Sequence, residues 1–240
     1  MKILITGGYG KLAQAMRHTK TEHELVLAGK TAIDITNEVS IIDCINTVRP
    51  DCIIHTAALT KPMIIHEQYP CRSIYTNIVG TAYVAMACQR FGIKLVYIST
   101  DYVYPGTNGN YSEEDPVKPF TNYGWSKLGG ECAVHMDQNS LIIRLALCNR
   151  PFEHEYAFDD MIKNYIYEDK AAQIILNSIH LTGILNVGGP TQSVYDFAKQ
   201  DNPDIKSRPT EYFKPIPLNT SMNLGKMNEV SRRRQSPTTA

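Results

Sequence analysis

The first sixteen residues limit the fold more than any other stretch of the chain. Lys2 to Thr6 form a short apolar run, which predicts a buried strand. The pattern Gly7-x-x-Gly10-x-x-Ala13 follows at once, and apolar residues then recur at helical spacing. Glycines at a strand-to-helix turn let backbone amides approach a phosphate group at the helix N-terminus. This start predicts a βαβ chain with a dinucleotide-binding turn; a glycine turn without a ligand is the alternative.

Strands and helices are predicted to alternate through the next 130 residues. The run from Cys52 to His55 is almost uninterruptedly apolar, as in a strand buried on both faces of a parallel sheet. Further strands are predicted at 24–28, 94–99 and 141–147, with helices at 41–48, at 77–91 and around Tyr123. We therefore predict an α/β fold, a doubly wound parallel sheet (Rossmann) with right-handed crossovers.

The pattern weakens after residue 149. We predict helices at 157–167 and 171–179, a strand and turn at 183–190, and a short helix at 193–200. The predicted organisation is a Rossmann domain at 1–148, a small, shortened substrate-binding lobe at 149–230, and a flexible tail at 231–240. The lobe is expected to cover the carboxyl ends of the strands. The three arginines of the tail are interpreted as solvated.

Composition excludes several classes of function. The chain has 24 basic and 24 acidic residues, which gives no indication of a nucleic-acid surface. No apolar run approaches the roughly 18 residues of a membrane span, and the N-terminus does not resemble a signal peptide. The six cysteines are scattered, as is typical of reduced thiols rather than disulfides or a metal site. We expect a cytoplasmic protein with no metal and no membrane or nucleic-acid partner.

Tyr123 and Lys127 are the first pair of residues that indicates chemistry. Side chains four apart on a helix lie on one face. A phenol keeps its proton up to about pH 10, and a nearby ammonium group lowers that pKa. Such a pair can transfer a proton near neutral pH, as carbonyl reduction requires. Because surface helices often contain this spacing by chance, the prediction depends on the rest of the chain.

Ser99 and Thr100 follow a predicted strand at its carboxyl end, where parallel sheets place their sites. The hydroxyl of Thr100 could bind the same substrate oxygen that Tyr123 protonates. A strand-end capping pair is the alternative interpretation. Together with the glycine turn before it and Tyr123 and Lys127 after it, Thr100 is predicted to belong to a catalytic trio.

The end of the second predicted strand indicates the cofactor. An NAD site usually has an acidic residue there, which binds the ribose 2′-hydroxyl. This strand is followed by Lys30, and no acidic residue occurs before Asp34. A lysine suits the 2′-phosphate of NADP, and Lys11 could add to it. We predict NADP(H) in weak preference to NAD(H); Lys30 as an ordinary exposed lysine is the alternative.

At this point the sequence resembles the extended short-chain dehydrogenases/reductases, and most closely the dTDP-4-dehydrorhamnose reductase family. The resemblance is carried by short motifs spread over residues 1–147. They are 5–13, 34–36, 49–51 with 57–60, 77–81, 98–104, 111–115, Pro119, 122–131 and Arg144. Residues 186–190 and 195–198 are also similar, with lower specificity.

The resemblance implies an enzyme that reduces the 4-keto group of a nucleotide-linked 4-keto-6-deoxy-sugar with NAD(P)H, in deoxysugar or rhamnose biosynthesis. It implies Thr100 as hydroxyl donor, Tyr123 as proton donor and Lys127 as the residue that orients both cofactor and tyrosine. The implied cofactor contacts are Gly7, Tyr9, Gly10, Lys11 and Leu12 at the pyrophosphate, Asp34 and Ile35 at the adenine, and Ala57, Ala58 and Leu59 at the ribose and nicotinamide.

Two departures from the family pattern affect the substrate. The loop Lys61 to Glu67 resembles that of related rhamnose-forming reductases, so the expected nucleotide is dTDP or UDP. The region after Asn149 is shorter than the usual substrate lobe. Because the strand-end motif contains Tyr102 and no cysteine, no epimerisation through such a cysteine is predicted.

Two other functions stay open at this stage. One is a different sugar-nucleotide reductase or an epimerase. The other is a non-catalytic NADP-binding regulatory subunit similar to the β subunit of methionine adenosyltransferase, a function that the short lobe favours and the intact trio opposes. The expected partner is a nucleotide-sugar, and a homodimer is left open.

Overall fold

A computed structural model describes residues 1–212 and 216–235 of the chain. The strands are β1 (Lys2–Thr6), β2 (Glu24–Ala28), β3 (Cys52–His55), β4 (Lys94–Ile98), β5 (Leu141–Leu145), β6 (Leu147–Cys148), β7 (Tyr156–Phe158), β8 (Ile162–Lys163), β9 (Ile166–Tyr167), β10 (Gly183–Val187), β11 (Gln192–Ser193) and β12 (Lys206–Arg208). The helices are α1 (Lys11–His18), α2 (Glu38–Val48), α3 (Ile64–Gln68), α4 (Pro70–Ser73), α5 (Gly80–Phe91), α6 (Asn122–His135), α7 (Glu168–Ser178), α8 (Val194–Lys199) and α9 (Gly225–Gln235).

Six strands form the central sheet, in the order β10-β5-β4-β3-β1-β2. Every neighbouring pair is parallel. The predicted doubly wound fold is confirmed. The central strands are made of Ile, Leu, Val and Cys that are almost completely buried, because helices cover both faces of the sheet.

One apolar cluster lies on each face of the sheet. Side chains of α1 and α7 pack on one face, and side chains of α2, α5 and α6 pack on the other. Helix α2 begins at a predictable position, since the Asn37 side chain accepts hydrogen bonds from the backbone amides of Val39 and Ser40 and so caps its N-terminus. Among the described residues, no helix combines the length and the apolarity needed to cross a membrane.

The predicted helix at 157–167 is wrong. This segment contains β7, β8 and β9. Ala157 and Met161 stand four residues apart and are buried, which mimics a helical pattern. Their partners are distant in sequence, since β7 pairs with β12 and β8 pairs with β11. Pairing between remote segments overrode the local pattern.

The boundary predicted at residue 148 does not separate the sheet from the rest of the chain. β10 lies far beyond it in sequence, yet pairs with β5 as the edge strand of the central sheet. Helix α7 packs on the same face as α1. Only the segment between β6 and β9 leaves the sheet before α7, and its ends are joined where Leu147 pairs with Ile166 and Cys148 pairs with Tyr167.

Helix α9 extends to Gln235. The first half of the predicted flexible tail, residues 231–235, is therefore helical. The side chain of Met227 in α9 is buried in the cluster that also contains α1 and α7, which attaches this helix to the sheet. Residues 236–240, also assigned to the tail, lie outside the described residues.

Candidate active site

The glycine turn lies between the carboxyl ends of β2 and β3. Gly7 has a φ of +66°, and a Cβ atom there would lie 2.9 Å from the backbone of Ala57. The amide of Gly8 donates to the carbonyl of Ala28 at 2.9 Å. Only glycine permits this conformation together with such close approach. The turn therefore meets the ends of both neighbouring strands.

The N-terminus of α1 is open to a ligand. Gly10 is its N-cap residue, and within the described part of the chain no side chain caps it. Its first amides lack helical acceptors and carry the positive end of the helix dipole. Leu12 and Ala13, in the first turn, are buried under the sheet, which sets the position of the turn. These features fit the pyrophosphate of a dinucleotide.

The segment after β2 brings Tyr9 and Lys30 together. The Tyr9 ring lies over Gly29, where an added Cβ atom would clash with it. Lys30 is the most exposed of the predicted cofactor residues, with 84% of its side chain accessible, and its ammonium group lies 3.8 Å from Asp34. The carboxylate of Asp34 accepts hydrogen bonds from both the amide and the hydroxyl of Thr36, which lower its pKa. Ile35 is buried against Gly80.

Asn77 organises the segment that follows β3, although the sequence assigned it no role of its own. Its side chain donates to the carbonyl of Leu59 at 2.9 Å and accepts from the amide of Leu59 at 2.7 Å. It also donates to the hydroxyl of Ser126 on α6 at 2.9 Å. Asn77 lies in a π-helical turn, Ile74–Val79, a feature that is common at functional sites. It joins the predicted cofactor segment, Ala57 to Leu59, to the helix that carries Tyr123.

Thr100, Tyr123 and Lys127 come together where β4 ends and α6 begins. The Thr100 hydroxyl donates to Asp101 Oδ1 at 3.2 Å and accepts from the amide of Tyr102 at 3.3 Å. It also lies close enough to Tyr123 to influence the pKa of that phenol. The Lys127 ammonium lies 4.2 Å from the centre of the Tyr97 ring, a cation–π distance. The structure brings the predicted trio to one place at the carboxyl edge of the sheet.

The electrostatics of the trio differ from the sequence-based prediction. Burial and the Asp101 carboxylate raise the pKa of Tyr123 well above its ordinary value, against the hydrogen bond from Thr100. Burial also lowers the pKa of Lys127 to about 7, against the attraction of Glu131. The predicted lowering of the Tyr123 pKa is therefore wrong. Loss of hydration outweighs the opposing effects of the groups around the buried phenol.

His66 is a further neighbour of Tyr123. It is completely buried, and its ring centre lies 5.1 Å from that of Tyr123. Its Nδ1 atom lies 2.7 Å from the Ser73 hydroxyl. Burial lowers the pKa of His66, so the ring is neutral at pH 7. It forms an uncharged wall on one side of the phenol.

Lys11 forms an ion pair that no pattern in the sequence indicates. Glu153 accepts hydrogen bonds from Lys11 at 2.5 Å and from Lys61 at 3.1 Å. Hydrogen bonds from both lysines lower the pKa of Glu153 to about 2. Because 142 residues separate Lys11 from Glu153, no local pattern could have indicated the contact. The glycine turn is thereby joined to the segment between β6 and β9.

A cleft of about 730 Å³ adjoins the trio. Tyr102 and Thr121 form its wall on the side of the sheet, and Tyr102 packs edge-on against the Tyr123 ring. The opposite wall comes from residues after β5. It contains both aromatic rings and carboxylates: Phe152, Glu153, Glu155, Tyr156, Phe158 and Tyr165. Its volume is that of a site for a small organic molecule.

Comparisons with known proteins agree with this geometry. The model of the RmlD substrate binding domain family matches residues 1–177. The dTDP-4-dehydrorhamnose reductase of Aggregatibacter actinomycetemcomitans is 28% identical over 200 residues, which are 80% of this chain and 63% of that protein. The methionine adenosyltransferase 2 subunit beta of Rattus norvegicus is 32% identical over 142 residues, 55% of this chain and 42% of that protein. This chain thus spans less than two thirds of either relative.

A solved structure is similar over almost the whole fold. The dTDP-4-dehydrorhamnose reductase of Bacillus anthracis, in complex with NADP, superposes with a TM-score of 0.85 at 27% identity, over 95% of this chain and 92% of that one. The family model and this superposition confirm the resemblance that the sequence motifs indicated. The chain belongs to the RmlD substrate binding domain family.

Proposed function

We propose that this protein reduces the 4-keto group of a nucleotide-linked 4-keto-6-deoxy-sugar with NADPH. The observation that carries the proposal is that the side chains of Thr100 and Tyr123 lie close together beside the cleft. Two hydroxyl groups that meet at one point can both donate to a single carbonyl oxygen. The relatives named as dTDP-4-dehydrorhamnose reductases support the substrate class.

The roles of the residues follow from their positions. The Thr100 hydroxyl binds the carbonyl oxygen and polarises the C=O bond. When bound, the nicotinamide of NADPH supplies the hydride to the carbonyl carbon. Tyr123 donates its proton to the same oxygen, and the Lys127 ammonium stabilises the phenolate that remains and binds the cofactor ribose. The sugar is held in the cleft, whose aromatic rings exclude water.

The glycine turn and the segments beside it are the proposed cofactor site. Gly7, Tyr9, Gly10, Lys11 and Leu12 would hold the pyrophosphate, Asp34 and Ile35 the adenine, and Ala57, Ala58 and Leu59 the ribose and nicotinamide. The Bacillus anthracis relative binds NADP. The exposed ammonium of Lys30 favours NADP, because it can reach a 2′-phosphate.

The activity test combines dTDP- or UDP-4-dehydrorhamnose with NADPH or NADH and follows the absorbance of the reduced nicotinamide. We expect turnover with at least one of the two sugar nucleotides and a lower KM for NADPH than for NADH. Tight NADPH binding without turnover of either sugar nucleotide would contradict the reductase proposal.

That negative outcome would favour a second candidate function, an NADP-binding regulatory subunit. It is suggested by the 32% identity to the methionine adenosyltransferase subunit. The reductase remains the better proposal because Thr100, Tyr123 and Lys127 are all present and in contact range of one site.

The cofactor preference is tested by Lys30→Ala, with Lys20→Ala as the control at an exposed lysine beyond the far end of α1. Loss of a charge-assisted contact to the 2′-phosphate should weaken NADPH binding about tenfold and leave NADH unchanged. Equal effects on the two cofactors, measured by fluorescence titration, would exclude this role for Lys30.

A further inference from the structure

A buried lysine lies behind the catalytic trio. Lys163, in β8, is 1% exposed, and its ammonium donates to Asp101 Oδ2 at 2.6 Å. It also donates to the Thr220 hydroxyl at 2.9 Å, which in turn donates to the same Asp101 oxygen at 2.5 Å. The ammonium lies 4.2 Å from the centre of the Tyr102 ring. Three segments that are remote in sequence therefore meet at the Lys163 ammonium group.

Stability alone does not account for such a pair. Removing two charges from water costs several kcal/mol for each ion, and well-packed apolar residues of similar volume are often as stable. Lys163 and Asp101 offset part of this cost for one another, because Thr220 completes their hydrogen bonds. What an apolar replacement could not supply is a fixed carboxylate directly after Thr100.

The contacts of Asp101 lead to the proton donor. One carboxylate oxygen is held by Lys163 and Thr220, and the other accepts from the Thr100 hydroxyl at 3.2 Å. That hydroxyl lies close enough to Tyr123 to influence its pKa. The Lys163 ammonium lies over the ring of Tyr102, and that ring packs against the Tyr123 ring with 6.0 Å between the two ring centres. Lys163 thus contacts Asp101, which touches Thr100, and Tyr102, which touches Tyr123. Lys163 itself is too deeply buried to reach the cleft.

We propose that Lys163 is a positioning residue for the reduction, a role that rests on the proposed reductase function. It fixes Asp101, the carboxylate that holds the Thr100 hydroxyl in place, and it offsets the negative charge of Asp101 beside the phenolate. Lys163 keeps its own proton throughout. The hydride reaches the carbonyl carbon, and the proton on the product hydroxyl comes from Tyr123.

The experiment compares the full-length wild type with Lys163→Met, with the double variant Asp101→Asn/Lys163→Met, and with Lys20→Met as the control. Each is assayed for kcat and KM with NADPH and 4-dehydrorhamnose linked to dTDP or UDP. For Lys163→Met we expect kcat to fall about tenfold to a hundredfold, as for a misplaced catalytic group, with KM within about threefold, a split that a general loss of structure would not give. Lys20→Met should match the wild type.

The double variant keeps the test valid if Lys163→Met does not fold. It contains neither buried charge, so it should fold and bind NADPH while kcat stays low. Wild-type kcat in either folded Lys163 variant, or a KM that rises in proportion as kcat falls, would overturn the positioning role and leave the reductase intact. Absence of turnover by the wild type would overturn the reductase function, and the role of Lys163 with it.

Discussion

Tyr123 is surrounded by groups from four separate elements, and its environment rather than its position on α6 determines its reactivity. A water-exposed tyrosine at the same helical spacing from a lysine would have a pKa near 10. Here burial and Asp101 raise the pKa. A phenol that holds its proton tightly is ready to donate only once an alkoxide develops beside it, which is the direction of carbonyl reduction.

Tyr123→Phe isolates the phenolic hydroxyl, because phenylalanine keeps the ring that packs on Tyr102 and His66. We expect kcat to fall by at least about a hundredfold, the usual contribution of a general acid, with NADPH affinity within about twofold of the wild type. Steady-state kinetics and a fluorescence titration measure the two quantities. Full activity would exclude Tyr123 as the acid.

Lys127 should titrate near pH 7 in the cofactor-free protein, because burial lowers its pKa to about 7. In an NMR titration of protein whose lysines are labelled at the ε-carbon, one resonance should shift with a midpoint near pH 7. That resonance should be missing from Lys127→Met. The unfolded chain keeps this proton up to about pH 10, so the unfolded state binds more protons between pH 7 and 10 and stability rises with pH there. All lysine resonances titrating near pH 10 would contradict the assignment.

The sequence alone could indicate the proposed trio, since the spacing of Tyr123 and Lys127 and the strand end before Thr100 are local patterns. It could not predict their pKa values. Those depend on Tyr97 under Lys127 and on the Lys163–Asp101 pair, and Lys163 lies 62 residues from Asp101. The pairing of Lys11 with Glu153 was inaccessible for the same reason.

Helix α6 lies unusually close to the loop after β4, and one glycine permits this. A Cβ atom at Gly124 would lie 2.4 Å from the carbonyl oxygen of Tyr102, which is backbone and cannot move aside. At Gly129, the atom nearest to such a Cβ is the end of the Ile78 side chain, which can rotate. The two positions therefore differ in how well they would accept a side chain, although both lie on the same helix.

Gly124→Ala should displace α6 from the strand-end turn and reduce kcat about tenfold to a hundredfold, because Tyr123 is the neighbouring residue. Gly129→Ala is the matched control, and should stay near wild-type activity while gaining some of the roughly 1 kcal/mol by which alanine exceeds glycine in helices. Both are checked by kcat and by thermal unfolding. Equal kcat values in the two variants would show that the close approach is unimportant.

At the scale of elements, the strands up to β5 and the helices α1, α2, α5 and α6 follow from hydrophobic periodicity, and their predicted positions agree with the structure to within a few residues. The failure at 157–167 has a physical cause. Strands of two or three residues leave almost no period-2 pattern, and their stability comes from pairing with segments 30 to 50 residues away.

The whole molecule is joined across its sheet by a buried polar network. Arg144 on β5 donates to Glu131 on α6 at 2.9 Å and to the Tyr104 hydroxyl at 3.0 Å. Tyr104 donates to Asn186 on β10 at 2.8 Å. The side chains of Arg144 and Glu131 are 4% and 5% exposed. The network connects the catalytic helix to the edge strand that the chain reaches only after the cleft segment.

Arg144→Met should lower the free energy of unfolding by about 3–5 kcal/mol, because it leaves the Glu131 carboxylate buried without its cation. The double variant Glu131→Gln/Arg144→Met should recover much of that loss. As a surface control, Lys206→Met removes the pair with Glu155, in which both side chains are more than 60% exposed, and should cost less than about 1 kcal/mol. Urea unfolding measures all three; similar losses for the buried and exposed pairs would refute the argument.

The fold class could be predicted from the sequence, but how far along the chain the central sheet extends could not. Alternation of strands and helices implied a parallel sheet, yet β10 was assigned to the second lobe because the pattern of alternation is interrupted between β6 and α7. Membership of β10 in the sheet is decided by its pairing with β5 and by the Arg144 network, and both are long-range contacts that no local window contains.

The pairing of β6 with β9 has a consequence for how this fold tolerates change in length. Because Leu147 and Cys148 pair with Ile166 and Tyr167, the chain enters and leaves the cleft segment at neighbouring points. The entropic cost of such a loop grows only with the logarithm of its length, by about 0.6 kcal/mol for each doubling. Residues can therefore be added or removed between these two short strands at little cost to the sheet, and the size of the cleft can change independently of Thr100, Tyr123 and Lys127.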